Sequence, residues 1–193
     1  MKKLFLSALL LAIPLLASAF IGDAEVDGIW YNIITKGKVA TVISHRNGSY
    51  SGDIVIPSSI SYEGVVCDVT SIGEGAFSGC TGLTSITIPN SIISIGGYAF
   101  YDCSGLQKVI VKDLAAWCSI SFSNYYLHYE SVNPLYYAHH LYSDENTEII
   151  DLVIPNSVTN ITGRAFSGCN NFNSVTIPNS VISIGADAFY NCI

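Results

Sequence analysis

The chain is poor in charge. Only 12% of its 193 residues are Asp, Glu, Lys or Arg, about half the usual share. Cationic residues are the scarcer kind, with 8 Lys and Arg against 15 Asp and Glu. That balance argues against nucleic acid, whose recognition needs basic groups to displace counterions. It argues equally against an electrostatic dock on anionic lipid. Gly-rich phosphate loops and nucleophile elbows are both missing from the sequence. Beyond residue 19 no stretch approaches the ~20 apolar residues that a membrane-spanning helix requires. With so little charge, the polar surface has to come from Ser, Thr, Asn and Tyr, which makes it neutral and hydroxyl-rich.

The N-terminus has a different character. Lys2 and Lys3 precede an apolar run from Leu4 to Leu16, and Ala17-Ser18-Ala19 follows with small residues at alternate positions. This is the pattern of a secretory signal peptide cleaved after residue 19. The mature chain is expected to begin near Phe20, with no membrane insertion after cleavage. Without Lys2 and Lys3, six basic residues face 15 acidic ones, a net charge of −9. No cysteine stands at the cleavage point to accept a lipid.

The rest of the chain repeats itself. VTSIGEGAFSGCTGLTSITIP from Val69 to Pro89 is echoed by IISIGGYAFYDCSGLQKVIVK from Ile92 to Lys112. The phrase returns as VTNITGRAFSGCNNFNSVTIP from Val158 to Pro178, and begins again at Val181. Phe77 and Phe100, like Phe166 and Phe189, are 23 residues apart, and Cys80, Cys103, Cys169 and Cys192 keep the same step. Self-similarity at such a period marks a solenoid. A stacked array offers a long regular surface and no ready-made catalytic pocket.

Each unit reads L-x-x-I-x-I-P, as in Leu83, Ile86 and Ile88, and the alternation predicts a short strand. The proline stops that strand. A second short extended piece ends at Gly73, Gly96 and Gly185, where Thr162 stands in one unit, so the position does not strictly demand positive φ. A-F-x-x-C then predicts a tight helical turn. Phe77, Phe100, Phe166 and Phe189 are expected to form one continuous buried column, with Cys80, Cys103, Cys169 and Cys192 beside them as small core residues. Equivalent positions in stacked strands lie ~4.8 Å apart with parallel side chains, which does not suit a disulfide. Cys67 and Cys118 lie off the pattern, and a bond between them stays open.

The proline steps locate two insertions. Pro57 to Pro89 is one repeat plus nine residues, and Pro89 to Pro155 is one repeat plus a long one of 43. Two hairpins are predicted near the N-terminus, one around Lys36-Gly37-Lys38 and one around Glu63-Gly64. The organisation expected is a signal peptide over 1–19, a β cap and first strand over 20–68, and repeats over 69–193 with an aromatic-rich long unit at 112–154. The last unit stops before its strand, so the array is expected to be C-terminally incomplete.

AFSGCTGLTSITIP at 76–89 and IPNSVISIGADAF at 177–189 resemble the BspA-like leucine-rich repeat proteins of bacterial surfaces. KDLAAWCSISF at 112–122, with NPLYYAHHLY at 133–142, resembles a recurring interruption in that family. The resemblance implies a β-rich α/β solenoid, a right-handed leucine-rich repeat with a parallel sheet. It also implies export, surface exposure and adhesion, with fibronectin and fibrinogen as ligand types known in the family.

Two places could hold a ligand. One is the outward face of the strands, with columns Asp53, Ser85, Lys108, Asp151, Ser174 and Val55, Thr87, Ile110, Val153, Thr176; an ordinary solvated sheet face explains it as well. The other is the long unit, which carries eight of the 22 aromatic residues between 114 and 142. Tyr and Trp dominate protein-binding hot spots, and stacking on sugar rings is an equal alternative. Trp117, Tyr125, Tyr126, Tyr136, Tyr137, His139 and His140 are the candidates there. The bland alternative is that these aromatics pack the insertion against the solenoid. A metal site on His128, His139, His140, Asp144 and Glu145 matches no known ligand spacing, and His139-His140 on a strand would point to opposite faces. Cys118 with His128 lacks a third orienting group. The expectation is therefore a non-enzymatic protein with no metal or cofactor. It is either an exported binding module for an extracellular protein or glycan, or a spacer array without its own ligand.

Overall fold

The computed structural model describes residues 21–123 and 132–192. The expected signal peptide, Tyr125, Tyr126 and His128 lie outside the described residues. The architecture is a β-solenoid of about five turns with parallel sheets and little helix.

Each coil contributes one strand to each of two stacked columns. The first column holds β4 (Gly52–Val55), β7 (Leu83–Ile88), β9 (Lys108–Val111) and β11 (Leu141–Tyr142), all parallel. It continues as the separate pair β12 (Asp151–Val153) and β14 (Ser174–Thr176). The second column holds β6 (Val65–Ile72), β8 (Ser94–Ile95) and β10 (Ser121–Phe122), then the pair β13 (Asn160–Ile161) and β15 (Ser183–Ile184). The inward residues Leu83, Ile86, Ile88, Val109, Val111, Leu152 and Ile154 are buried, as the alternation predicts.

The N-terminal segment is a β cap continuous with the second column. β1 (Ile21–Val26), β2 (Ile29–Ile34) and β3 (Val39–Val42) form an antiparallel meander, and β3 pairs parallel with β6. Both predicted hairpins are present; the second joins β5 (Ser59–Tyr62) to β6 through Glu63 and Gly64, at φ 48° and 77°. β1 was not anticipated, although Asp27-Gly28 carries the sequence signal of a two-residue hairpin turn. These two residues do adopt positive φ, 50° and 81°. Tyr50 closes the core at this end. Its ring centroid is 5.0 Å from that of Phe77, and its hydroxyl accepts from Trp30 N–H and donates to the Ile43 carbonyl.

The A-F-x-x-C segment is not a helix. It is a run of turns whose alternate N–H groups bond to the following coil. Gly75, Phe77 and Gly79 donate to the carbonyls of Gly97, Ala99 and Tyr101 at 2.7–2.9 Å. Arg164, Phe166 and Gly168 repeat the pattern on Ala186, Ala188 and Tyr190. Two positions per unit adopt left-handed backbone, Gly75 and Gly79 in one coil and Tyr98 and Asp102 in the next. The coils are thus joined by a third backbone ladder besides the two strand columns.

This ladder explains the recurring glycine slot by close approach, not by φ. A Cβ on Gly96 would lie 2.5 Å from Glu74 N, and one on Gly185 2.3 Å from Gly163 N. Thr162 escapes because the coil before it is irregular: its N–H donates to the Cys118 carbonyl, a residue outside the repeat pattern.

The phenylalanine column is real but broken. Phe77 stacks on Phe100 and Phe166 on Phe189, each pair with centroids 5.2 Å apart and nearly parallel planes. Among the described residues no ring contact links Phe100 to Phe166; the long unit lies between them. Phe189 is only half-buried, since no described coil covers its far side. All six cysteines are free, Cys67 and Cys118 included. Cys103 and Cys192 donate S–H to the carbonyls of Phe77 and Phe166 at 3.1 and 3.0 Å. Burial pushes the thiols of Cys103, Cys118 and Cys169 up to about 12.

Candidate functional site

The long unit is built around two short helices and a hairpin. α1 (Leu114–Trp117) starts because the Asp113 carboxylate accepts from the N–H groups of Ala115 and Ala116, an N-cap. Its one buried side chain is Trp117, which is 0% exposed and donates from Nε1 to the Ala165 carbonyl at 2.9 Å. Trp117 therefore belongs to the core and is not a ligand contact. Its ring meets Phe122 edge to face.

α2 (Leu135–Ala138) is held from both ends. The buried Asn133 accepts from Leu135 N–H and donates from Nδ2 to the carbonyls of Arg164 and Ala165 at 2.6 and 3.1 Å. At the other end His139 adopts left-handed backbone, φ 60°, and its Nδ1 lies 2.8 Å from the Gly168 carbonyl. A carbonyl only accepts, so Nδ1 carries the proton and Nε2 of the neutral ring is left as an acceptor. Leu135 and Ala138 face the core, whereas Tyr136, Tyr137 and His139 are half-buried.

These three line one cleft of about 380 Å³ with Gly168, Asn170 and Asn191. The two tyrosine rings meet at 81° with centroids 5.5 Å apart. The Tyr137 hydroxyl accepts from Asp102 N–H at 2.9 Å. In neighbouring coils the N–H at that slot, Gly79 or Gly168, bonds to a backbone carbonyl of the next coil. Tyr137 thus supplies by side chain the acceptor that the interrupted ladder lacks. Gly168 is required below the cleft, since a Cβ there would come within 2.5 Å of Tyr136 Cα.

His140 turns elsewhere. Its Nδ1 is 2.5 Å from Glu148 Oε1, which also accepts from Asn171 Nδ2 at 2.6 Å. His139 is not on a strand, but the two imidazoles do diverge, and the structure does not bring His140 into the cleft. Among the described residues no group of three or more His, Cys, Asp or Glu side chains converges as a metal site, and no helix is long and apolar enough to cross a membrane.

The sheet face differs from the expected columns. Asp53, Ser85 and Lys108 are in register, but β9 pairs with β11, so Asp151 does not continue the row. After β11 the chain turns back at 143–147, with Asp144 accepting from the N–H groups of Asn146 and Thr147. Ser85, Thr87 and Ile110, expected outward, are buried; they share a groove with Glu145 and Asn146 of this turn. Lys108 Nζ donates to the Glu145 carbonyl at 2.7 Å and lies 4.6 Å from the Tyr142 ring centroid. Asp53 accepts from Ser85 and Thr84 hydroxyls at 2.6 and 2.8 Å, and these bonds hold its carboxyl below the usual range. Asp53, Thr84, Ser85 and Lys108 thus have hydrogen-bond partners within the chain.

The family model for the BspA type leucine-rich repeat region matches residues 53–133 and 140–193 in six copies. The chain belongs to the BspA-type leucine-rich repeat family. Members are typically non-catalytic and typically found at the cell surface. A leucine-rich cell surface protein of Faecalibacterium prausnitzii A2-165 aligns over 91% of this chain and 54% of its own, at 21% identity and TM-score 0.51. A leucine-rich repeat protein of Bacteroides ovatus ATCC 8483 aligns over 88% of this chain and 39% of its own, at 26% identity and TM-score 0.50. The chain thus spans about half the length of the first solved relative and less of the second. No curated protein matches it significantly.

Proposed function

We propose that this BspA-type chain is an exported cell-surface binding module of the adhesin type, holding an extracellular protein or glycan at the Tyr136–Tyr137–His139 cleft. The observation that carries this reading is the convergence of three aromatic side chains in one cleft, where the repeat is interrupted and the backbone is pinned from both sides. Binding residues concentrate on irregular segments held by a rigid scaffold, and a site fixed in advance loses little entropy on binding. The F. prausnitzii relative is described as a cell surface protein, which supports export. The sheet face favours the spacer reading instead, since Asp53, Ser85 and Lys108 have their hydrogen bonds made internally.

Interferometry of the chain against immobilised fibronectin, fibrinogen and a glycan panel separates the two readings. Binding that Tyr136→Ser abolishes, with the melting temperature kept, supports the module; silence across the panel supports the spacer. N-terminal sequencing of the exported product tests the leader, with a new terminus at Phe20 expected.

A further inference from the structure

Resting on the binding-module reading, we propose that the Tyr136–His139 cleft takes a neutral saccharide and not a peptide. The first argument is charge. Among the described residues that line it there is no Lys, Arg, Asp or Glu. An acidic or basic peptide, a sulfated glycan or a sialylated one would find no counter-charge among these lining side chains.

The second argument is the backbone. Extended peptides are commonly captured by adding a strand to an open sheet edge. None of the described lining residues lies in a strand. Four of the six have their main-chain donors used: Tyr136 and Tyr137 N–H go to Asn133 and Pro134 carbonyls, His139 N–H to the Leu135 carbonyl, and Gly168 N–H to the Tyr190 carbonyl. A ligand is therefore met chiefly by side chain. Asn170 and Asn191 are exposed, and each amide presents a donor pair and an acceptor side by side, which suits adjacent hydroxyls that both donate and accept. The His139 ring adds an acceptor at Nε2, because Nδ1–H is turned to Gly168.

The third argument is shape. The two phenol rings stand nearly perpendicular, so an aromatic wall is available whichever way a ring enters. A pyranose has an apolar C–H face and an equatorial rim of hydroxyls, and the cleft sets an apolar surface against neutral polar groups in the same way. Its volume of about 380 Å³ lies at the small end of ligand pockets, the size of a terminal sugar or a disaccharide.

The test is an array of neutral hexose- and N-acetylhexosamine-terminated oligosaccharides, printed with sialylated and sulfated forms and with matrix proteins, probed with the full chain. Neutral sugars are expected to bind. Tyr136→Ala should weaken that binding at least about tenfold, the loss of one aromatic anchor. Asn170→Ala, at an exposed position, should weaken it several-fold with the melting temperature kept. If matrix proteins bind through Tyr136 while free neutral sugars neither bind nor compete, the saccharide inference is overturned and the binding module stands. Silence towards sugars and proteins alike overturns both. Sugar binding untouched by both substitutions places the ligand elsewhere and overturns the inference as well.

Discussion

The regular coils and the interrupted coil solve one problem in opposite ways. Each must satisfy the polar groups that stacking takes out of water. Between the coils at 69–103 and between those at 158–192, the seam is backbone to backbone, with Phe77 N–H on Ala99 and Phe166 N–H on Ala188. Around the long unit the seam is side chain to backbone. Trp117 Nε1, Asn133 Nδ2 and the His139 ring reach carbonyls of the following coil, and Tyr137 takes up Asp102 N–H from the preceding one. The lesson is that aromatic richness in an insertion has two sources. Part of it replaces lost ladder bonds, and only the remainder is available for a ligand.

Substitutions can break this contrast. The largest effect is expected in the regular seam's core: Phe100→Ala should cost ~3–5 kcal/mol, against no more than ~0.5 kcal/mol for the exposed Tyr101→Ala, compared by chemical denaturation. Equal losses would dissolve the ring column. Asn133→Ala leaves Leu135 N–H without its partner and takes one donor each from the Arg164 and Ala165 carbonyls, which keep Ser167 N–H and Trp117 Nε1, and should cost ~1–3 kcal/mol although it removes almost no apolar area. A neutral result would show that the long unit does not depend on side-chain bonds. Gly96→Ala forces a Cβ onto the Glu74 backbone and should cost ~1–3 kcal/mol, while Thr162→Ala at the same slot should be tolerated within ~0.5 kcal/mol. Tyr137→Phe keeps the ring, loses one acceptor and should cost ~1 kcal/mol.

A last effect, confined to alkaline pH, is a pH dependence of the cysteine layer. The Cys103 and Cys169 thiols are raised from 9.0 to about 12 by burial, so the folded chain keeps protons that the unfolded chain releases. Their contribution is complete below pH 9 and falls as pH rises from there towards 12. A melting temperature that declines over that window in the chain, and declines less in Cys103→Val, is the expected outcome.

Much of this was legible in the sequence. The 23-residue step of Phe77, Phe100, Phe166 and Phe189 sufficed for the solenoid, because each unit buries the same side chains against the same neighbours. Leu141–Tyr142 escaped notice because a two-residue strand has no periodicity to read, and Ile149, Leu152 and Ile154 offered a better match to the repeat strand. The true rung at Leu141, paired with Val109, follows from the return of the chain at 143–147. For the candidate site, sequence located the region but not the roles. Trp117 and Tyr136 look alike as aromatics; the Asp113 cap turns one inward, and the Asn133 clamp leaves the other at the rim. Asn170 and Asn191 belong to two later coils, and only stacking brings them to the cleft.

The backbone seam has a consequence for how such a chain can change over generations. A junction made of N–H and C=O groups reads no side chain, so a coil duplicated in register meets its neighbours with every bond already matched. Lengthening or shortening the regular array needs no compensating substitution. The interrupted coil has no such freedom: Asn133, Trp117 and Tyr137 are fitted to the two coils they touch, and a copy inserted elsewhere would find no matching partners. Copy number is therefore the variable part of this architecture, and the aromatic coil is its fixed address.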